Sequence, residues 1–161
     1  MKYNYVSDLM SKPAITCEYN TTFKETIEIM KTKDIGFLPV TKKGVLVGVV
    51  TDRDLLIRGI GTYKLNARID RVMTSGDVRF VDPGTSLKEA ARIMALYKIR
   101  RLPVLKDGEC VGVITTKNLL NVDELFPYIK ETYFNTSNYK EYEMYANSNP
   151  HDSLKASDYP L

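Results

Sequence analysis

Gly48-Val49-Val50-Thr51-Asp52-Arg53-Asp54 returns 64 positions later as Gly112-Val113-Ile114-Thr115-Thr116-Lys117-Asn118. The shift that carries Pro39 onto Pro103 keeps matching in both directions. Leu38-Pro39-Val40 falls on Leu102-Pro103-Val104, Leu55-Leu56 on Leu119-Leu120, Ile29-Met30 on Ile93-Met94 and Lys24-Glu25 on Lys88-Glu89. Met10 answers to Met73 with one residue of slippage. Self-similarity at a fixed period marks repeated supersecondary units. Two copies are expected over about residues 6–58 and 69–121, joined by a connector around 59–68.

Each copy reads the same way. A short strand, Ala14-Ile15-Thr16-Cys17 or Val78-Arg79-Phe80-Val81, precedes the box Thr22-x-x-Glu25 or Ser86-x-x-Glu89. Such a box satisfies the first free amides of a helix. Phe23, Ile27 and Met30, like Leu87, Ala90, Ala91 and Met94, then recur at helical spacing. Two apolar runs follow, parted by the turns Lys42-Lys43-Gly44 and Lys106-Asp107-Gly108. A second helix starts at Thr51 or Thr115. The expected order is β-α-β-β-α twice, an α/β (α+β) class, with the repeats packed sheet to sheet about a pseudo-two-fold axis. About 55 residues alone bury little apolar surface, so the pair is the folding unit.

The chain of 161 residues is 43% hydrophobic and 27% charged, which suits a packed fold rather than disorder. No apolar run reaches the roughly 20 residues of a membrane-spanning helix, and Met1-Lys2-Tyr3-Asn4-Tyr5 is no signal-peptide start. These features point to the cytoplasm. A net charge of +3, well interspersed, argues for neither nucleic acid nor a membrane as partner. Cys17 and Cys110 fit two buried reduced thiols better than a disulfide. With His151 the single histidine, histidine-based catalysis or a zinc site would hang on one residue. Asp52 and Asp54 have no adjacent nucleophile or base, which argues against an enzyme.

The Gly48–Asp54 stretch places a hydroxyl and a carboxylate at a strand-to-helix corner. A carboxylate there can accept two hydrogen bonds from a vicinal diol such as a ribose, and free amides at a helix start favour an anion. Thr51-x-x-Asp54 fits a capping box equally well, with both side chains used by the helix itself. The second copy keeps Thr115 but has Asn118 in place of the carboxylate, a weaker acceptor.

The repeat resembles the cystathionine-β-synthase (CBS) domain, whose tandem pair is called a Bateman module. The resemblance rests on the two Leu-Pro-Val strands, on Gly48, Thr51 and Asp54, and on Asp8-Leu9-Met10 and Arg71-Val72-Met73, which open the copies. It implies a stand-alone, non-catalytic sensor of adenosine ligands (AMP, ADP, ATP or S-adenosylmethionine) that binds them in two clefts between the repeats. It also implies a homodimer forming a four-repeat disc, which passes the ligand state to a protein partner.

In the family each cleft is crossed, and here the two become unequal. One combines Thr51, Arg53 and Asp54 with Val78, Arg79, Arg100, Arg101, Leu102 and Pro103. Its Arg100-Arg101 pair stands where the family contacts phosphate, and guanidinium groups suit phosphate oxygens. The other combines Thr115, Lys117 and Asn118 with Ala14, Ile15, Thr16, Gly36, Phe37 and Leu38, and lacks both the acid and the arginines. The first is expected to be the principal site and the second weak or empty. The alternatives are a structural dimerisation module with empty clefts and an S-adenosylmethionine sensor.

In chain order the expected divisions are residues 1–60, 61–122 and a tyrosine-rich extension, 123–161. Six of the eleven tyrosines lie in the extension. Asn121–Phe126 is expected to prolong the last helix until Pro127 bends it. Tyr139, Tyr142 and Tyr145 fall at helical spacing beside Lys140, Glu141 and Glu143, the pattern of an amphipathic docking segment.

Overall fold

A computed structural model describes residues 3–133, and these form two compact units. His151, Tyr139, Tyr142, Tyr145 and Tyr159 lie outside the described residues. The units do not follow chain order, because the segments that open the copies are exchanged. The first-repeat unit holds residues 15–78 with 108–110, and the second-repeat unit holds residues 3–14, 79–107 and 111–133 of those described.

In the first-repeat unit, β1 (Cys17–Glu18) lies parallel to β2 (Phe37–Lys42), which runs antiparallel to β3 (Val45–Thr51). The β2–β3 hairpin turns through Lys43 and Gly44, at φ 52° and 83°. Positive φ at both central residues matches the right-handed twist of the flanking strands. The first strand is shorter and later than Ala14–Cys17 suggests. Only Cys17 and Glu18 find ladder partners, on Val40 and Thr41, while the Ala14 amide donates to the Val111 carbonyl within the other unit.

Between β1 and β2 runs α2 (Phe23–Lys33), capped as its sequence predicts. Thr22 Oγ1 accepts from the Glu25 amide, and Glu25 Oε2 accepts from the Thr22 amide at 2.8 Å and hydroxyl at 2.7 Å. Those two bonds hold the Glu25 carboxyl below its ordinary value of 4.5. A depressed native pKa stabilises the fold above the unfolded value and loses that stabilisation as pH falls through the folded one. Glu25→Gln is therefore expected to flatten the fall in melting temperature below about pH 4.5 relative to the parent chain.

After β3 come α3 (Asp52–Asp54) and a π-helical turn, Leu55–Gly59. The core gathers Phe23, Leu38, Val40, Val50, Ile69 and Val72. Burying a side chain of this size contributes about 1.5–3 kcal/mol. Ile69 and Val72 belong to the segment that opens the second copy in sequence, and that segment packs here.

The second-repeat unit mirrors this plan. Its opening helix, α1 (Val6–Leu9), comes from the chain's start and buries Val6 completely in that unit's core. Next in sequence is α4 (Leu87–Tyr97), whose Glu89 amide donates to the capping Ser86 hydroxyl at 3.1 Å. Neighbouring strands β4 (Arg101–Lys106) and β5 (Glu109–Thr115) follow, then α5 (Thr116–Leu119). The strand expected over Val78–Val81 shrinks to isolated bridge residues, Arg79 and Val81, of which Val81 pairs parallel with Val104. Arg79 turns aside there, its guanidinium 4.0 Å from the Tyr97 ring centre.

The extension also departs from expectation. A 3-10 turn, Asp123–Leu125, leads into α6 (Phe126–Tyr133), and Pro127 opens that helix rather than bending one. In a first turn a proline gives up no hydrogen bond, and its fixed φ already suits the helix. α6 lies on α4, burying Ile129 and Thr132, while Lys98 Nζ donates to Glu131 Oε1 at 2.8 Å. The first repeat has no described counterpart to α6.

Candidate functional site

The strand-to-helix corner of the first repeat is built by β3 and α3. Thr51, the last residue of β3, caps α3: its Oγ1 accepts from the Asp54 amide at 3.1 Å. Asp54 closes the box, Oδ2 accepting from the Thr51 amide at 2.9 Å and from the Thr51 hydroxyl at 2.8 Å. The other oxygen, Oδ1, takes a charged hydrogen bond from Arg58, one helical turn on. Arg58 also donates to Thr74 Oγ1 at 3.2 Å. The capping reading of Thr51-x-x-Asp54 is thus what the corner shows.

Capping does not exhaust the carboxylate, which offers about four lone-pair positions. Oδ2 is committed to the chain, whereas Oδ1 faces a side chain that is half exposed: the Arg58 side chain is 50% accessible and Asp54 13%. The pair is open to water on its arginine side, where solvent screens it, so an incoming donor can compete with Arg58 for Oδ1. Arg58 was not singled out from the sequence. Its signal was the i,i+4 spacing from Asp54 at the start of a helix. Arg53 is exposed, its amide donating to Asp52 Oδ1. Val78 is buried.

The corner of the second repeat repeats the geometry with an amide. Asn118 Oδ1 accepts from the Thr115 amide at 2.8 Å and from its hydroxyl at 2.7 Å, and Thr115 Oγ1 accepts from the Asn118 amide at 3.2 Å. Lys117 beside it is exposed. Asparagine therefore performs the cap and lacks only the charge.

Arg100 and Arg101 stand at the entrance to β4. Arg100 is exposed, with its guanidinium 5.7 Å from the Tyr133 ring centre, and Arg101 is half-buried. Tyr133 Oη also lies 3.0 Å from Thr116 Oγ1, so the end of α6 sits under the arginine. Nothing in the sequence pairs residues 33 positions apart, and Tyr133 went unseen for that reason. Leu102 and Leu38 are fully buried in the cores of their own units, and Pro103 lends its carbonyl to the Val81 amide. Ile15, Thr16 and Phe37 are half-buried.

Cys17 and Cys110 are not joined in a disulfide, Cys17 being buried and Cys110 half-buried. Burial, and next the Glu18 carboxylate, push the Cys17 thiol up to about 11, so it is protonated and inert at neutral pH. Among the described residues no group of three His, Cys, Asp or Glu could hold a metal ion, and no helix is long and apolar enough to cross a membrane.

The model of the CBS domain matches residues 6–60 and 69–124, two copies that together cover most of the chain. The chain belongs to the CBS domain family. Its two CBS repeats are 32% identical over 114 residues to the CBS domain-containing protein YhcV of Bacillus subtilis, covering 71% of this chain and 81% of that one. They are also 32% identical over 123 residues to the inosine-5'-monophosphate dehydrogenase of Nitrosopumilus maritimus. That match spans 75% of this chain but only 25% of the enzyme. Among solved structures, the CBS domain pair of protein MJ0100 in complex with 5'-methylthioadenosine and S-adenosyl-L-methionine superposes with a TM-score of 0.66. It is 27% identical and covers 74% of this chain and 95% of that one. The CBS pair read from the internal repeat is thereby established, as is the mixed α/β class.

Proposed function

We propose that this CBS pair is a non-catalytic regulatory module that binds an adenosine-containing ligand, AMP, ADP or ATP, through the Thr51–Asp54 corner. The observation that carries the reading is the state of Asp54. One carboxylate oxygen is fixed by the cap and the other is held by an exposed, exchangeable arginine. A ribose diol replacing Arg58 at Oδ1 meets a charged acceptor already oriented by its own helix. The adenosine compounds in the MJ0100 pair support the same ligand class.

In the principal site Thr51, Arg53 and Asp54 act with Val78, Arg79, Arg100, Arg101, Leu102 and Pro103, the two arginines at residues 100 and 101 taking the phosphates. The weaker site uses Ile15, Thr16, Phe37, Leu38, Thr115, Lys117 and Asn118. A ligand that prefers one arrangement of the module shifts its equilibrium by the difference in affinity, which a partner protein or a second copy then reads.

Calorimetry with adenosine, AMP, ADP, ATP and S-adenosylmethionine tests this reading. At least one phosphorylated compound is expected to bind. Changing both Arg100 and Arg101 to alanine should weaken AMP and ATP by roughly a hundredfold or more while leaving adenosine within about threefold, because charge-assisted bonds contribute about 1.5–3 kcal/mol each and two are lost. S-adenosylmethionine binding alone would assign the module to that ligand. No binding by any of the five would leave a structural dimerisation module, the reading that Asp54's capping role favours.

A further inference from the structure

The acid of the first corner and its arginine come as a pair. Moved on by 64 residues, Asp54 and Arg58 become Asn118 and Val122, so the repeat without the carboxylate is also without the cation. Val122 is buried in the core of its own unit, whereas Arg58 stands at the surface with half its side chain open to water. Arg58 therefore does not repeat the packing task of its counterpart. What it does instead is hold Asp54 Oδ1.

A second contact steadies it there. The same guanidinium nitrogen donates to Thr74 Oγ1 at 3.2 Å. Thr74 is a firm anchor, because its amide donates to the Val49 carbonyl at 2.8 Å and its carbonyl accepts from the Val49 amide at 2.9 Å. Val49 lies in β3, two residues before the capping Thr51. The arginine is thus tethered to the strand that builds the corner, over the one carboxylate oxygen that the cap does not use. A side chain that fills the acceptor of an empty site competes with whatever binds there.

We infer that Arg58 is a built-in competitor of the ligand, an inference that rests on the reading of Asp54 as the diol acceptor. The arginine occupies Oδ1 while the site is empty and yields it to a ribose diol. Apparent affinity falls in proportion to the fraction of molecules whose Oδ1 is free, so the Arg58–Asp54 pair sets the ligand concentration at which the module responds. Release strands no buried donor, since the arginine side chain is half exposed and Thr74 Oγ1 remains beside it. Salt screens an ion pair that is open to water. Ionic strength thereby becomes an input, and an uncharged ligand binds more tightly as salt rises.

Calorimetry with adenosine, which carries no charge, separates this role from phosphate binding. Arg58→Ala is expected to tighten adenosine about threefold to tenfold, the factor for a pair present in roughly 70–90% of empty molecules. Thr74→Val removes the hydroxyl anchor, keeps the shape of the side chain and should tighten adenosine by about twofold. In the parent chain, adenosine should bind about twofold more tightly, or better, as salt rises from about 50 to about 500 mM, and Arg58→Ala should abolish that response. With Asp54→Asn already in place, Arg58→Ala should change the affinity by less than about twofold, because the pair is already broken. Urea midpoints confirm that each variant is folded, and the salt series on the parent chain needs no variant. Adenosine bound equally or more weakly by Arg58→Ala, or a salt response that survives the substitution, overturns the inference and leaves the nucleotide reading standing. Adenosine bound by neither chain overturns it too, and AMP then decides whether the nucleotide reading also falls.

Discussion

Asp54→Asn is expected to leave the module folded and to weaken its adenosine ligand roughly tenfold to a hundredfold, the range for losing a charged acceptor. The second repeat supplies the control for folding. Asn118 makes every capping contact that Asp54 makes, at distances within 0.1 Å for the three bonds they share. What asparagine cannot do is hold Arg58 as an ion pair or receive a diol on a charged oxygen. Asp54→Ala should lose the ligand to a similar extent and also the cap, lowering stability by about 1 kcal/mol. Calorimetry and a urea titration on the two variants separate these effects. Equal ligand affinity in the parent chain and Asp54→Asn would show that the carboxylate is a cap and nothing more.

Gly48→Ala is expected to destabilise the first-repeat unit by about 1–3 kcal/mol, as overpacking does. A Cβ at residue 48 would stand 2.8 Å from the Thr74 carbonyl oxygen and 2.8 Å from Met73 Sδ. The Thr74 carbonyl cannot swing away, since it accepts from the Val49 amide at 2.9 Å while Val49 O accepts from the Thr74 amide at 2.8 Å. Gly84→Ala is the matched control, with nothing within 4 Å of its added carbon, and is expected to be close to neutral. Urea midpoints for the two variants check the contrast, and a Gly48→Ala midpoint equal to that of Gly84→Ala would refute the packing account.

Gly48 also shows how much the sequence revealed. The glycine recurs as Gly112 because each repeat receives the segment that opens the other copy in sequence, Met73-Thr74 against Gly48 and Met10-Ser11 against Gly112. The repeat itself, its capping threonines and its hairpin turns were legible, because each depends on residues a few positions apart. The exchange of opening segments was not, since a matched Met10 and Met73 reveal that the segments correspond but not where they pack. The first strands came out shorter than their β-branched residues suggested, pairing being decided by neighbouring strands rather than by propensity. Pro127 was misread for a related reason: the same residue ends one helix or begins another, and the packing of Ile129 and Thr132 on α4 settled which. At the corner, residue types allowed either a cap or a diol acceptor. The division of labour between the two oxygens of Asp54 depends on Arg58, whose orientation no spacing rule fixes.

A crystal structure with the tightest-binding adenosine compound tests that division most directly. The expected density has ribose hydroxyls on Asp54 Oδ1, Arg58 turned away from the carboxylate, and Oδ2 still on the Thr51 amide and hydroxyl. A ligand bound elsewhere, with the Arg58–Asp54 pair intact, would contradict the account.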